Sequence, residues 1–301
     1  MYKVVNRWNH QDTIKIEWNL TKRCNYDCSY CPSEIHDNTS KPVDIEILKG
    51  TIDKLSVLGK PIRLSFTGGE PTVHPKFEQL ISYARQKGIL WISVTTNGTR
   101  KSTWYAKQDV NQWVFSLHFE YHVDRILHTL YKINEEKPSS MSLLVNVMAH
   151  HDYMKTVMSS TERLSFYNIP YVVRRIRWTQ GNRDLFDDLR YNTVDLDWIK
   201  QTESTVSPNT VISYIDRPDE QLHANDVIKL HLNQYNGWSC NAGIESLMIN
   251  WDGEVHRATC RVGGSLGNIY NDTFTVPSEP VICNRNFCTC AADIPLTKLK
   301  I

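Results

Sequence analysis

Eight cysteines fall into two tight groups, and this distribution constrains the chain more than any other feature of its sequence. Cys24, Cys28 and Cys31 lie near the N-terminus, Cys240, Cys260, Cys283, Cys288 and Cys290 near the C-terminus, and none lies between. Thiols that only fill a core would be scattered through it, whereas metal ligands must come together. The segment Met1 to Trp8 lacks the apolar stretch of a signal peptide, so the expected location is the cytoplasm. There disulfides are disfavoured, and metal or redox chemistry is the natural use of grouped cysteines. No apolar run nears the roughly 20 residues needed to cross a bilayer. The formal net charge of +1 gives no reason to expect a nucleic acid or a membrane surface as partner.

Strand-like runs occur at Ile14–Leu20, Ile62–Thr67, Trp91–Thr96, Trp113–His118, Leu143–Met148 and Tyr171–Ile176. Helical spacing falls between them. Phe77, Leu80, Ile81 and Ala84 share one face ahead of Gly88, as do Ile126, Leu127, Leu130 and Ile133, and a further helix is expected over Asp44–Leu58. The alternation predicts an α/β fold with parallel strands and outer helices, either a doubly wound sheet or a barrel, complete or partial. In both, chemistry sits at the C-terminal ends of the strands. Residues 181–236 are polar and irregular, with a helix near Leu196–Thr202 and a strand near Val211–Tyr214. Glu245–Asn250, Trp251-Asp252-Gly253 and Glu254–Thr259 read as a β-hairpin. The expected organisation is a barrel over 1–180, a connecting region over 181–236 and a small cysteine-rich module over 237–301.

The first cysteine group is spaced C-x3-C-x2-C directly after the first strand. Three close thiolates suit a [4Fe–4S] cluster whose fourth iron stays open to an amino-acid chelate; a zinc knuckle with a borrowed ligand is the alternative. With Tyr30 before the last cysteine, the motif resembles the signature of the radical S-adenosylmethionine (SAM) superfamily. Thr67-Gly68-Gly69-Glu70-Pro71 is similar to that family's Gly-Gly-Glu motif, which holds the methionine amino group. The resemblance spans residues 12–180 and implies a partial (β/α)6, TIM-like barrel. It also implies that Thr96, Asn97, Ser116, His118, Asn146 and Arg174 serve S-adenosylmethionine at the strand ends. A flavodoxin- or ferredoxin-like donor would reduce the cluster, and reductive cleavage of the sulfonium would yield a 5′-deoxyadenosyl radical that abstracts a substrate hydrogen.

Cys240-Asn-Ala-Gly243, the Asp252-Gly253 turn and Cys260 resemble the C-terminal SPASM or twitch extension, which binds auxiliary iron–sulfur clusters. Here six residues separate Gly253 from Cys260 where the family pattern has four, so the ligand set within the group is open. A zinc ribbon is the alternative. One auxiliary cluster leaves one of five thiols over, and Cys260, Cys283 or Cys288 is a candidate hydrogen-atom donor to a substrate radical. Arg174, Arg175 and Arg177 with Trp178 could hold a substrate anion or form a salt-bridged strand end. His118 to His122 could line the substrate pocket, as could His150 and His151, which otherwise read as loop residues. Only a short segment precedes Cys24, so no fused leader-binding domain is expected. The substrate is expected to be a peptide or a small polar metabolite. Outside this reading stand a non-catalytic zinc-stapled binding protein and a nucleotide- or RNA-modifying enzyme, the latter requiring a basic patch.

Overall fold

The computed structural model describes residues 2–6, 12–176, 190–202 and 207–301. After a short strand β1 (Tyr2–Asn6) comes β2 (Ile14–Thr21), then α1 (Ile45–Ser56), β3 (Ile62–Gly68), α2 (Phe77–Gln86) and β4 (Trp91–Thr96). Next are α3 (Ser102–Ala106), β5 (Gln112–Leu117), α4 (Val123–Glu136), β6 (Ser142–Ala149), α5 (Met154–Phe166) and β7 (Tyr171–Arg175). Strands β2 to β7 are parallel, in sequence order, and all six expected strands form. The sheet stays open, as a partial barrel does.

Alternation decides which side chains meet the helices. On β2, Ile16, Trp18 and Leu20 are fully buried and pack with Leu48, Ile52 and Leu55 of α1, while Lys15, Glu17 and Asn19 face the hollow. Asp44 caps α1 by accepting from the Glu46 N–H at 2.8 Å, and Gly88 ends α2 at a positive φ of 79°. Trp18, Phe66, Phe77, Tyr105, Trp113 and Phe115 form the aromatic heart of the core between sheet and helices.

Beyond the barrel follow α6 (Thr193–Gln201), β8 (Thr210–Tyr214), β9 (Glu220–Leu222), α7 (Ala224–Lys229), β10 (Ser239–Cys240) and β11 (Ser246–Ile249). The chain ends with β12 (Glu254–His256), β13 (Ser265–Asn268), β14 (Val281–Ile282) and β15 (Lys298–Leu299). The helix and strand expected near 196 and 211 are α6 and β8. The expected hairpin is β11–β12, and Gly253 has φ 86° with a notional Cβ only 2.4 Å from the Tyr270 ring, so no other residue fits. This hairpin is not free-standing. β11 runs parallel to β2, with Met248 opposite Glu17, and extends the barrel sheet in the order β13-β12-β11-β2-β3-β4-β5-β6-β7. The other C-terminal strands join the first strand in a second sheet, β14-β10-β15-β1-β8-β9. The cysteine-rich segment is thereby shared between both sheets.

Candidate functional site

The N-terminal cysteines occupy a loop that leaves the C-terminal end of β2 and closes on itself, Cys24 N–H donating to the Asp37 carbonyl at 2.6 Å. The Gly-Gly-Glu turn lies directly on that loop: Gly69 N–H donates to Thr21 O at 2.7 Å and Glu70 N–H to Arg23 O at 2.9 Å. A Cβ at Gly69 would stand 2.4 Å from the carbonyl oxygens of Lys22 and Arg23, and one at Gly68, which has φ 118°, would stand 2.5 Å from Thr21 O. The close approach that these glycines permit is to the chain's own backbone at the root of the cysteine loop.

Glu70 is 1% exposed, and its carboxylate is knitted into the turn. Oε1 accepts from Thr72 N (3.1 Å), Thr72 Oγ1 (2.5 Å) and Thr96 Oγ1 (2.9 Å), and Oε2 accepts from Asn97 N (2.6 Å). A carboxylate offers about four lone-pair sites, so Oε2 keeps room for a further donor. Pro71 opens the short 3-10 turn that follows. Asn97 reaches back to the cysteine loop, its Nδ2 2.7 Å from Asn25 Oδ1 and 3.9 Å from Cys24 Sγ. Thr96 and Asn97 thus tie the Glu70 turn and the Cys24 loop to the end of β4.

The far side of the loop is held from β5. Tyr30 Oη and His118 Nδ1 stand 2.6 Å apart, and burial pulls His118 down to about 4. Glu120 accepts from Ser29 N at 2.9 Å and from Ser29 Oγ, and faces His150 Nε2 at 3.2 Å. Tyr121 stacks on Tyr26 with centroids 3.8 Å apart and accepts from Asp27 N at 2.5 Å. Glu120 and Tyr121 clamp the cysteine loop. The sequence shows no local sign of this, because the partners lie more than 90 residues apart.

Ser116 and Asn146 are in register across β5 and β6, and Asn146 Oδ1 accepts from Arg174 Nε at 3.1 Å. Arg174 Nη1 also donates to Asn225 Oδ1 at 3.2 Å, linking the last barrel strand to α7. Arg177 and Trp178 lie outside the described residues. His150, His151 and Asp152 bring ligand atoms within 4.8 Å of one another, but His150 Nδ1 already accepts from Asp152 N.

Both cysteine groups converge. Burial, then neighbouring charge, pushes Cys28 up to about 12 and Cys31 up to about 11, each feeling the negative charge of Cys24. In the C-terminal group, Cys260 is pushed up to about 12 by burial and Asp293, and feels Cys240 and Cys283; Cys288 feels Cys260 and Cys290. Cys290, also up to about 12, feels Asp293 and Glu17 of β2. Such thiols ionise when a cation compensates them, which metal binding supplies. Each set offers sulfur ligands alone, which suits iron–sulfur clusters.

Residues 18–176, a little over half of the chain, match the family model "Radical SAM superfamily". The chain belongs to this superfamily. A radical SAM enzyme binds a [4Fe–4S] cluster and S-adenosylmethionine, so the zinc knuckle for the first group and the non-catalytic binding protein fall. Over 85 residues, 28% of this chain and 21% of the relative, it is 39% identical to the Fe-coproporphyrin III synthase of Methanosarcina barkeri (strain Fusaro / DSM 804). Over 274 residues, 87% of this chain and 59% of the relative, it is 24% identical to the antilisterial bacteriocin subtilosin biosynthesis protein AlbA of Bacillus subtilis (strain 168). The chain therefore spans less than two thirds of either relative. Among solved structures, anSMEcpe with bound AdoMet shares the fold at TM-score 0.58 and 16% identity, covering 87% of this chain and 79% of that one. Streptococcus suis SuiB does so at 0.57 and 17%, covering 86% and 64%. Among the described residues, no helix is long and apolar enough to cross a membrane.

Proposed function

We propose that this radical SAM enzyme abstracts hydrogen from a peptide, leading to epimerisation, oxidation or crosslinking. The alignment with the subtilosin biosynthesis protein carries the reading, because at 87% of this chain it runs well past the residues that define the superfamily. SuiB, of like fold, has been solved bound to its precursor peptide SuiA. When bound, the cluster and S-adenosylmethionine supply a 5′-deoxyadenosyl radical by one-electron reduction, from a flavodoxin- or ferredoxin-like donor in the cytoplasm.

The chain's own residues bind and orient. Cys24, Cys28 and Cys31 would hold the cluster, with Tyr30, Asn97, Glu120 and Tyr121 fixing their loop. Gly68, Gly69 and Pro71 set the turn from which Glu70 Oε2 accepts from the methionine ammonium. Ser116, His118, Asn146 and Arg174 offer polar groups to the ribose and carboxylate. Glu70→Ala is expected to weaken S-adenosylmethionine binding at least tenfold while the first cluster still assembles. It also strands the N–H groups of Thr72 and Asn97, at about 1–3 kcal/mol for each buried donor. Isothermal titration and thermal melts check both effects, and unchanged affinity would remove Glu70 from the binding role.

In the tail, Cys240, Cys260, Cys283 and Cys288 would hold a second iron–sulfur cluster. Cys283 and Cys288 are buried in the hydrophobic cluster beside the second sheet, and Cys290 feels the charges of Asp293 and of Glu17 on β2. Cys290 then joins Cys260, Cys283 and Cys288 as a candidate hydrogen-atom donor. Among the described residues no hydrogen bond reaches the Glu17 side chain, so its carboxylate suits a donor group on the substrate. Turnover of a precursor peptide encoded beside this chain, run in deuterated water, is expected to place one deuterium in an epimerised product. Unlabelled product would point to oxidation or crosslinking, and cleavage stimulated by sugars but by no peptide would overturn the substrate class.

A further inference from the structure

Tyr235 is 0% exposed and lies in the loop between α7 and β10. Its surroundings hold it firmly. The Cys288 N–H donates to Asn233 O and the Cys283 N–H to Trp238 O, both at 2.8 Å, which pins this loop to two of the C-terminal cysteines. The Tyr235 ring meets Trp238 edge-on at 5.3 Å, and the Lys298 ammonium stands 4.9 Å from its centroid. Lys298, itself 2% exposed, donates to the carbonyls of Asp293, Ile294 and Leu296 at 2.7, 3.1 and 3.0 Å, and sits directly opposite Cys240 across β10 and β15. This arrangement places one buried cation and one buried phenol beside a set of mutually repelling thiols.

The phenol is unfinished. Tyr235 Oη is buried without a hydrogen-bond partner. Tyr105, Tyr171 and Tyr191, the other buried tyrosines among the described residues, donate or accept in the protein. Burial keeps the Tyr235 phenol protonated, and its hydroxyl lies within electrostatic reach of Cys288, Cys240 and Cys283. It is therefore a donor without an acceptor, held among sulfurs.

We propose that Tyr235 donates a hydrogen bond to a sulfur of the cluster held by the C-terminal cysteines and sets that cluster's reduction potential. This rests on the reading that the tail binds an iron–sulfur cluster. A hydrogen bond to sulfur stabilises the more negative, reduced state and raises the potential, so losing it lowers the potential. Lys298 acts in the same direction through its charge and holds the ring in place.

The test uses the full chain with Cys24, Cys28 and Cys31 replaced by alanine, so that only the tail cluster titrates. Both this parent and its Tyr235→Phe derivative are expected to retain about four iron and four sulfide per chain. In potentiometric EPR the derivative should reduce at a lower midpoint. Equal midpoints would overturn the role of Tyr235 and leave the second cluster standing. Zinc without sulfide in the parent would overturn the tail reading and this inference together. If the phenylalanine derivative fails to assemble a cluster, 3-fluorotyrosine at position 235 keeps the shape and strengthens the donor; the midpoint must then rise, and no rise overturns the proposal.

Discussion

With Cys24, Cys28 and Cys31 all changed to alanine, formation of 5′-deoxyadenosine from S-adenosylmethionine under strong reductant is expected to fall to background. The loop offers three sulfurs and no substitute: His36, the nearest histidine, faces Asp27 at 3.1 Å. Iron should drop by about four per chain, with the tail's share unchanged. Product is measured by chromatography after anaerobic reconstitution. Persistent 5′-deoxyadenosine would place the chemistry elsewhere in the chain.

Gly69→Ala is expected to do comparable damage through packing alone. Its φ is not in the left-handed region, so backbone strain plays no part; the new methyl group would meet two backbone carbonyl oxygens at 2.4 Å. Neither can rotate away, since Lys22 and Arg23 lead straight into Cys24. Forcing them apart should cost about 3 kcal/mol and lower Tm by several degrees, of the order of 5 °C. Iron loading of the first cluster should fall with it. Gly50→Ala provides the control: it lies within α1 with nothing within 4 Å of the new Cβ, and should stabilise by about 0.5–1 kcal/mol. Equal melting temperatures for the two variants would mean that the Gly-Gly-Glu turn can leave the cysteine loop without penalty.

Much of the site was legible from local spacing. The three N-terminal cysteines sit within one turn-rich loop, and each barrel strand carries its own period, so both announce themselves without any long-range contact. The short elements were harder. β1 has five residues and α3 has five, too few to show a period, and each forms because distant partners cover it. The clamp from Glu120 and Tyr121 left no sequence trace for a similar reason, since nothing near them in sequence says that Ser29 and Asp27 are their partners. The purpose of the glycines at 68 and 69 was also ambiguous: a close approach was evident, but not that the neighbour is Thr21 to Arg23.

The sequence alone determined the superfamily, the parallel strands and the close grouping of the first three cysteines, because each depends on residues close along the chain. Tertiary structure decided that the tail hairpin extends the barrel sheet through β2, and that β1 closes a sheet with the last strands. It also decided that Cys290 feels the charge of Glu17 on β2, and that Tyr235 carries an unmatched hydroxyl beside the C-terminal cysteines. These are pairings between segments some 200 residues or more apart, or accidents of burial. Such contacts leave no periodic trace, because the free energy that selects them is gained only once the whole chain has packed.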